Sequence, residues 1–222
     1  MANLFGDNPF WFERFFPNNL TSLIPEAKTD NFEISTIEMD AERVRFEKMK
    51  SAFDGHYKET YALRAGKYVR LISKKADQIM MSNTPMEMET QVDFVRSAKG
   101  KVFVAGLGIG MVTLAIQDNP EVTEITILEK EQEVIDLVAK HLPFNKKVKI
   151  VQGDAFTFTT PEQFDILYFD IWNTISADNY REMKALTKLY RKNKVKGGAI
   201  VHWRQSDCRK LAREDAKGYR RF

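Results

Sequence analysis

The stretch Val104-Ala105-Gly106-Leu107-Gly108-Ile109-Gly110-Met111-Val112 places three glycines at alternate positions, directly after the apolar run Val102-Phe103-Val104-Ala105. Such a run reads as a buried strand. Glycines at its exit permit left-handed backbone and close approach by another group. The helical pattern that follows, Met111–Gln117, offers free N–H groups at its start. The spacing disfavours NAD or FAD. The dinucleotide pattern G-x-G-x-x-G wants its third glycine five positions after the first. Here Gly110 is four after Gly106, and Met111 holds the expected place.

Working outward, strands alternate with helices. Thr123–Leu128, Val148–Val151, Phe164–Phe169 and Ala199–Trp203 read as further strands. Between them, Gln132–His141 turns Val134, Ile135, Leu137, Val138 and Leu142 inward, and Asp178–Arg191 does so with Tyr180, Met183, Leu186 and Leu189/Tyr190. Gly197-Gly198 punctuates the chain before the fifth strand. The pattern predicts an α/β fold: a Rossmann-like, doubly wound, mostly parallel sheet of about five strands, shortened at the C-terminus. Residues 98–222 form this domain with its basic tail. Residues 1–97 form a helical and β-hairpin lead-in. Within the lead-in, Asp40–Phe53 reads as a helix with an apolar face of Val44, Phe46, Met49 and Phe53, stopped by Gly55. Lys67–Ile72 and Gln78–Met81 read as a hairpin, and Glu87–Ala98 as a helix. Asn8–Pro17 packs five aromatics between two prolines, so any helix there is short. Such a segment is buried on its own domain, in an oligomer contact or as a lid.

Acids end the next three strands. A carboxylate has two acceptor oxygens, so Glu129, 19 residues after Gly110, can take both hydroxyls of a ribose. Asp154 can accept from an adenine amino group, or cap the turn at Ala155–Phe158. Asp170 lies at the rim of the buried strand Phe164–Phe169, where an acid faces the ligand crevice.

Bulk composition sets the outer limits. The 222 residues are 43% hydrophobic and 29% charged, ordinary for a soluble globular chain. No apolar run reaches the roughly 20 residues of a membrane span. The N-terminus shows no basic segment followed by an apolar one, which predicts a cytoplasmic protein without membrane attachment. One cysteine, Cys208, excludes an intramolecular disulfide, and three scattered histidines argue against a metal cluster. Net charge is +3, unevenly spread: Lys184–Phe222 holds 13 Lys/Arg against three acids, about +10. That basic end can dock on nucleic acid or be a solvated face.

Taken together, the glycine turn and the strand-end acids resemble the class I S-adenosylmethionine-dependent methyltransferases, over about Met80 to Trp203. The resemblance implies S-adenosylmethionine as cofactor. Its contacts would be Gly106, Leu107, Gly108, Gly110, Glu129, Lys130, Asp154, Ala155 and Asp170. Asp170 would be the acid at the reacting centre, as ligand contact or base. Within the family the chain is most similar to the spermidine-synthase-like branch, in bacterial and phage members. Val104 stands where most methyltransferases carry an acid, as in that branch, and Met80–Glu87 resembles its lead-in. By that resemblance Thr84 and Glu87 are candidate ligand or substrate contacts. Trp172, Tyr180 and Trp203 read as aromatic walls for a substrate or the cationic sulfonium, or as ordinary core packing. Full-length members continue past the fifth strand with an antiparallel strand pair, where this chain has the basic, helix-patterned Arg204–Phe222. Methyl transfer is therefore expected ahead of aminopropyl transfer, and a non-catalytic assembly role is the third reading. Asp170-Ile171-Trp172-Asn173 is not the Asn/Asp-Pro-Pro-aromatic motif of amino-methylating DNA enzymes. The methyl acceptor is left open, nucleic acid included. The aromatic N-terminus favours a homo-oligomer. His202 reads as structural.

Overall fold

The computed structural model describes residues 10–53 and 64–218. Two sheets organise them. The first is antiparallel, in the order β1 (Ala27–Lys28), β2 (Phe32–Met39), β3 (Gly66–Ser73), β4 (Gln78–Ser82). The second is parallel: β5 (Gly100–Ala105), β6 (Val122–Glu129), β7 (Val148–Gln152), β8 (Phe164–Phe169) and β9 (Lys194–His202), ordered β7-β6-β5-β8-β9. Helix α3 (Pro85–Ser97) joins the two. It starts at Thr84 with proline at its first position, where a missing N–H costs nothing.

The central strands are apolar on both faces, as a sheet covered on both sides requires. Alternation along each strand divides them. Val102 and Val104 of β5, with Ile166 and Tyr168 of β8, join the larger core cluster. Phe103 and Ala105, with Leu167 and Phe169, join the other. The first face is covered by α3, by α4 (Met111–Gln117) and by α5 (Gln132–Val138); Phe94 of α3 stacks on Tyr168 with ring centroids 3.9 Å apart. The second face is covered by α6 (Ala177–Leu189), through Leu186, and by Tyr190 just beyond it. Helix α7 (Gln205–Gly218) packs against α6.

The expected doubly wound parallel sheet is present, and so is the hairpin. Elsewhere the structure alters or adds to the expectations. The expected strand Ala199–Trp203 begins earlier, at Lys194, and runs through Gly197-Gly198; Gly197 adopts φ +83°, so the glycines bend the strand instead of ending a loop. Strand β2 was not anticipated, although Phe32, Ile34 and Met39 are buried among exposed and half-buried neighbours. The helix expected over Asp40–Phe53 is α2 (Ala41–Phe53); of its apolar face Val44 is buried, but Phe46 and Met49 are more than half exposed. No described element packs on them closely enough to bury them, and Gly55 lies outside the described residues. Last, the aromatic segment forms a short 3-10 turn, Trp11–Phe15, whose Phe12 and the following Phe16 enter the chain's own core beside α3.

Candidate functional site

Strand order reverses beside β5: the chain leaves β5 for β6 on one side and later returns as β8 on the other. Crevices at such reversals, outside the strands' carboxyl ends, are where open α/β sheets bind ligands. A cavity of about 270 Å³ lies there. Its floor is the parallel sheet's rim, with Gly106, Gly108, Glu129 and Asp170. Its cover is the antiparallel sheet, through Phe32, Leu71, Ile79, Met80 and Met81.

The glycine turn is shaped by the space it must leave. Gly106 and Gly108 both have positive φ, +102° and +53°. A Cβ at Gly106 would strike the Asp170 carbonyl oxygen; one at Gly108 would strike the Met81 sulfur. Gly110, also left-handed at +72°, precedes α4 and packs on Leu142, away from the cavity lining. Leu107 is buried and contributes its backbone N–H, which donates to Glu129 Oε2 at 2.8 Å. Glu131 N–H donates to Glu129 Oε1 at 2.9 Å. Glu129 is therefore anchored under the turn by backbone donors to both of its oxygens. Burial pushes its carboxyl above the ordinary range, opposed by these backbone donors.

Asp154 performs the capping alternative. Its Oδ1 accepts from Phe156 N–H at 2.9 Å and its Oδ2 pairs with Lys130 Nζ at 3.0 Å. These two partners, the backbone bond first, hold it below the ordinary range. Lys130, Asp154 and Ala155 still line the cavity, joined by Gly153 and the exposed ring of Phe156. Phe156 was not singled out in the sequence; a lone phenylalanine in a turn gives no pattern.

At the other end sits an acid pair. Asp170 Oδ2 accepts from Gln91 Nε2 at 2.7 Å, and Tyr168 Oη donates to Gln91 Oε1. The tyrosine thus fixes which way the amide points. Glu87 lies one turn before Gln91 on α3, so both face the cavity. Burial raises Asp170 to about 7, against the pull of the Gln91 bond. Burial raises Glu87 to about 8, the Asp170 charge adding to it and Arg204 opposing it. Trp172 and Trp203 complete this end. Their indole N–H groups are spent elsewhere, on Glu182 at 2.7 Å and on Thr90 of α3 at 2.9 Å, which leaves the rings as walls. Arg204, just past β9, holds the left-handed φ of +51° and pairs with Asp207 at 2.9 Å.

Two expected substrate contacts fall outside the lining. Thr84 heads α3, its hydroxyl 2.9 Å from Ser82, and Tyr180 lies on α6 under Lys184. His202 is buried, stacked on Phe169, with Nε2 2.8 Å from Thr187 Oγ1; burial lowers it to about 4. Gln91, which the sequence did not rank, is the residue that connects α3 to Asp170. Its only signal was its i+4 spacing from Glu87. No group of three or more His, Cys, Asp or Glu able to hold a metal occurs among the described residues. No described helix is long and apolar enough to cross a membrane.

No family model matches the chain, and no curated protein does. Among solved structures it is similar to a DhpI–SAH complex, at 23% identity over 50% of this chain and 53% of that one, with TM-score 0.41. It is similar to the glycopeptide N-methyltransferase MtfA complexed with (S)-adenosyl-L-methionine, at 21% identity over 51% and 52%, with TM-score 0.40. It is also similar to the N-methyltransferase NodS from Bradyrhizobium japonicum WM9, at 19% identity over 58% and 74%, with TM-score 0.44. The chain spans about half the length of the first two.

Proposed function

We propose that this chain is an S-adenosylmethionine-dependent methyltransferase whose acceptor binds beside Glu87, Asp170, Trp172 and Trp203. The observation that carries the reading is Glu129. It ends the strand next to the glycine turn, is locked there by two backbone donors, and faces the cavity with acceptor capacity for a pair of adjacent hydroxyls. Gly106 and Gly108, both left-handed, line the cavity without side chains, which suits a ligand that must touch backbone. Leu128, Gly153, Ala155 and Phe156 give a partly apolar slot for a flat ring. Asp170 is placed for a cationic amino group.

S-adenosylmethionine supplies a methyl group on a sulfonium, open to direct displacement. The residues' work is to orient and to manage one proton. Orientation alone can supply much of the rate in such a transfer. Asp170, at about 7, is poised to take a proton from an acceptor near neutral pH. Glu87, at about 8, tends to keep its own proton at that pH.

A second reading, aminopropyl transfer as in the spermidine-synthase-like branch, gains support from one observation. Two buried acids, Glu87 and Asp170, face one cavity, which suits a cationic amine. Isothermal titration with S-adenosylmethionine, its decarboxylated form and NAD separates the readings. Saturable binding of S-adenosylmethionine is expected, with NAD silent. Preference for the decarboxylated form would transfer the assignment to aminopropyl chemistry. Binding of none by folded protein would remove the cofactor site altogether.

A further inference from the structure

We propose that the solvent faces of α6 and α7 form a docking surface for single-stranded nucleic acid, beside the cavity. The charge of the molecule is segregated: the +10 of residues 184–222 leaves about −7 on the rest. The cations fall on one side of each helix. On α7, Arg209, Arg213 and Lys217 recur every fourth residue, and Lys210 flanks them; all four are exposed. Steps of four rise ~6 Å each and stay on one face. Buried Cys208 marks the opposite side. On α6, Lys184 and Lys188 repeat the spacing, followed by Arg191 and Lys192, all exposed.

These cations are not consumed by the fold. Among the described residues, Lys188, Arg191, Lys192, Arg209, Lys210, Arg213 and Lys217 form no ion pair. An array of like charge held rigid and unpaired repels itself, and a polyanion relieves that by releasing its own counterions. A lipid surface fits less well. The helix would need an exposed apolar face, and Leu211 is the one large apolar residue that α7 exposes. Nucleic acid also suits the neighbouring cavity. β9 ends at His202, Trp203 lines the cavity, and α7 begins at Gln205. A strand lying on α7 can therefore reach the Trp172 and Trp203 rings, and aromatic faces stack on unpaired bases of any sequence.

Docking stands independently of the methyl-transfer reading. The test is fluorescence anisotropy of the whole chain with labelled single strands of about 20 nucleotides, RNA and DNA, across a salt series. Matching duplex, heparin and phosphatidylserine vesicles serve as competitors. The triple variant Arg209→Ala/Arg213→Ala/Lys217→Ala alters exposed side chains only. Binding by the parent is expected, with the variant at least roughly tenfold weaker and its log K–log salt slope shallower by about 2, at ~0.7 for each phosphate no longer neutralised. S-adenosylmethionine titration of the same variant should match the parent, which keeps the two readings separable. No binding at low salt, or an unchanged slope in the variant, would overturn the proposal. So would tighter capture by duplex, heparin or vesicles than by the single strands.

Discussion

Gly106 and Gly110 have the same backbone hand and different duties. A Cβ at Gly106 would collide with backbone, the Asp170 carbonyl, inside the cavity's rim; at Gly110 it would collide with Leu142 outside the lining. Left-handed angles alone cost an L-residue ~1–2 kcal/mol. Gly106→Ala should abolish ligand binding as well as lower the melting temperature. Gly110→Ala should lower melting and leave the affinity of protein still folded within about twofold; calorimetry of both variants checks this. Glu129→Ala removes charge-assisted hydrogen bonds worth ~1.5–3 kcal/mol, so cofactor affinity should fall roughly ten- to 150-fold. An effect under twofold would remove Glu129 from the site. The acid pair makes a prediction in pH. A carboxyl raised in the folded state holds its proton more tightly there than in the unfolded chain. It adds stability below the ordinary value near 4, and that stability is lost as pH rises to about 7 for Asp170 and about 8 for Glu87. His202, lowered to about 4, acts oppositely: it costs stability as pH falls from about 6.5 toward 4. Glu87→Gln should therefore gain melting temperature over the parent between about pH 4 and pH 8, then hold its lead. A lead that does not grow across that range would show that Glu87 is not buried as described. At this scale the sequence was informative where chemistry is local. Glycine spacing and strand-end position pointed to Gly106, Gly108, Glu129 and Asp170, all of which line the cavity. Gly110 shares the motif but serves packing, a distinction that depends on Leu142, 32 residues away.

Elements carry what single residues cannot. Helix α3 brings Glu87 and Gln91 to the cavity, Phe94 to Tyr168 and Thr90 to Trp203, so one helix ties this end of the cavity to β8 and to the residue just past β9. Gln91→Leu should strip Asp170 of the bond that favours its charged form and leave the Tyr168 hydroxyl buried without that acceptor, at a cost of ~1–3 kcal/mol. The pH at which activity rises should move upward from about 7. An unmoved profile with lowered stability would make Gln91 a packing residue only. Helix α3 was legible as a helix, from its periodicity and the glycine that follows it. Its task was not, because the partners Asp170 and Tyr168 lie 79 and 77 residues away. Strand β9 was half read for a related reason. Gly197-Gly198 looks like punctuation along the chain, while pairing with β8 carries the strand through it. The period-3.6 face of α2 was real in sequence and used in burial through Val44, while Phe46 and Met49 meet no covering element among the described residues.

At the scale of the molecule, the antiparallel sheet is placed over the end of the crevice beside Glu129 and tied down at one corner. Asn31 N–H donates to Glu133 Oε2 at 3.1 Å and Asn31 Nδ2 to Oε1 at 2.6 Å, which joins the turn before β2 to α5. A hydrogen bond from the Thr29 side chain, and then these two bonds, hold Glu133 below the ordinary carboxylate range. None of this was visible in the chain, because a turn and a helix 102 residues apart share no pattern. Phe32, next to Asn31, lines the cavity. Where a small molecule passes Phe32, that corner has to lift, and it is fastened by solvent-exposed bonds to Glu133. The fastening then acts on tempo. Asn31→Ala should speed entry and exit together, by roughly two- to fivefold, while the dissociation constant from titration stays put. Stopped-flow mixing would show it, and a change in exit alone would mean that Asn31 grips the ligand. Since those bonds involve a carboxylate, acid should loosen them too. The residence time of whatever occupies the crevice would shorten as Glu133 takes up its proton, without any residue of the crevice itself having changed.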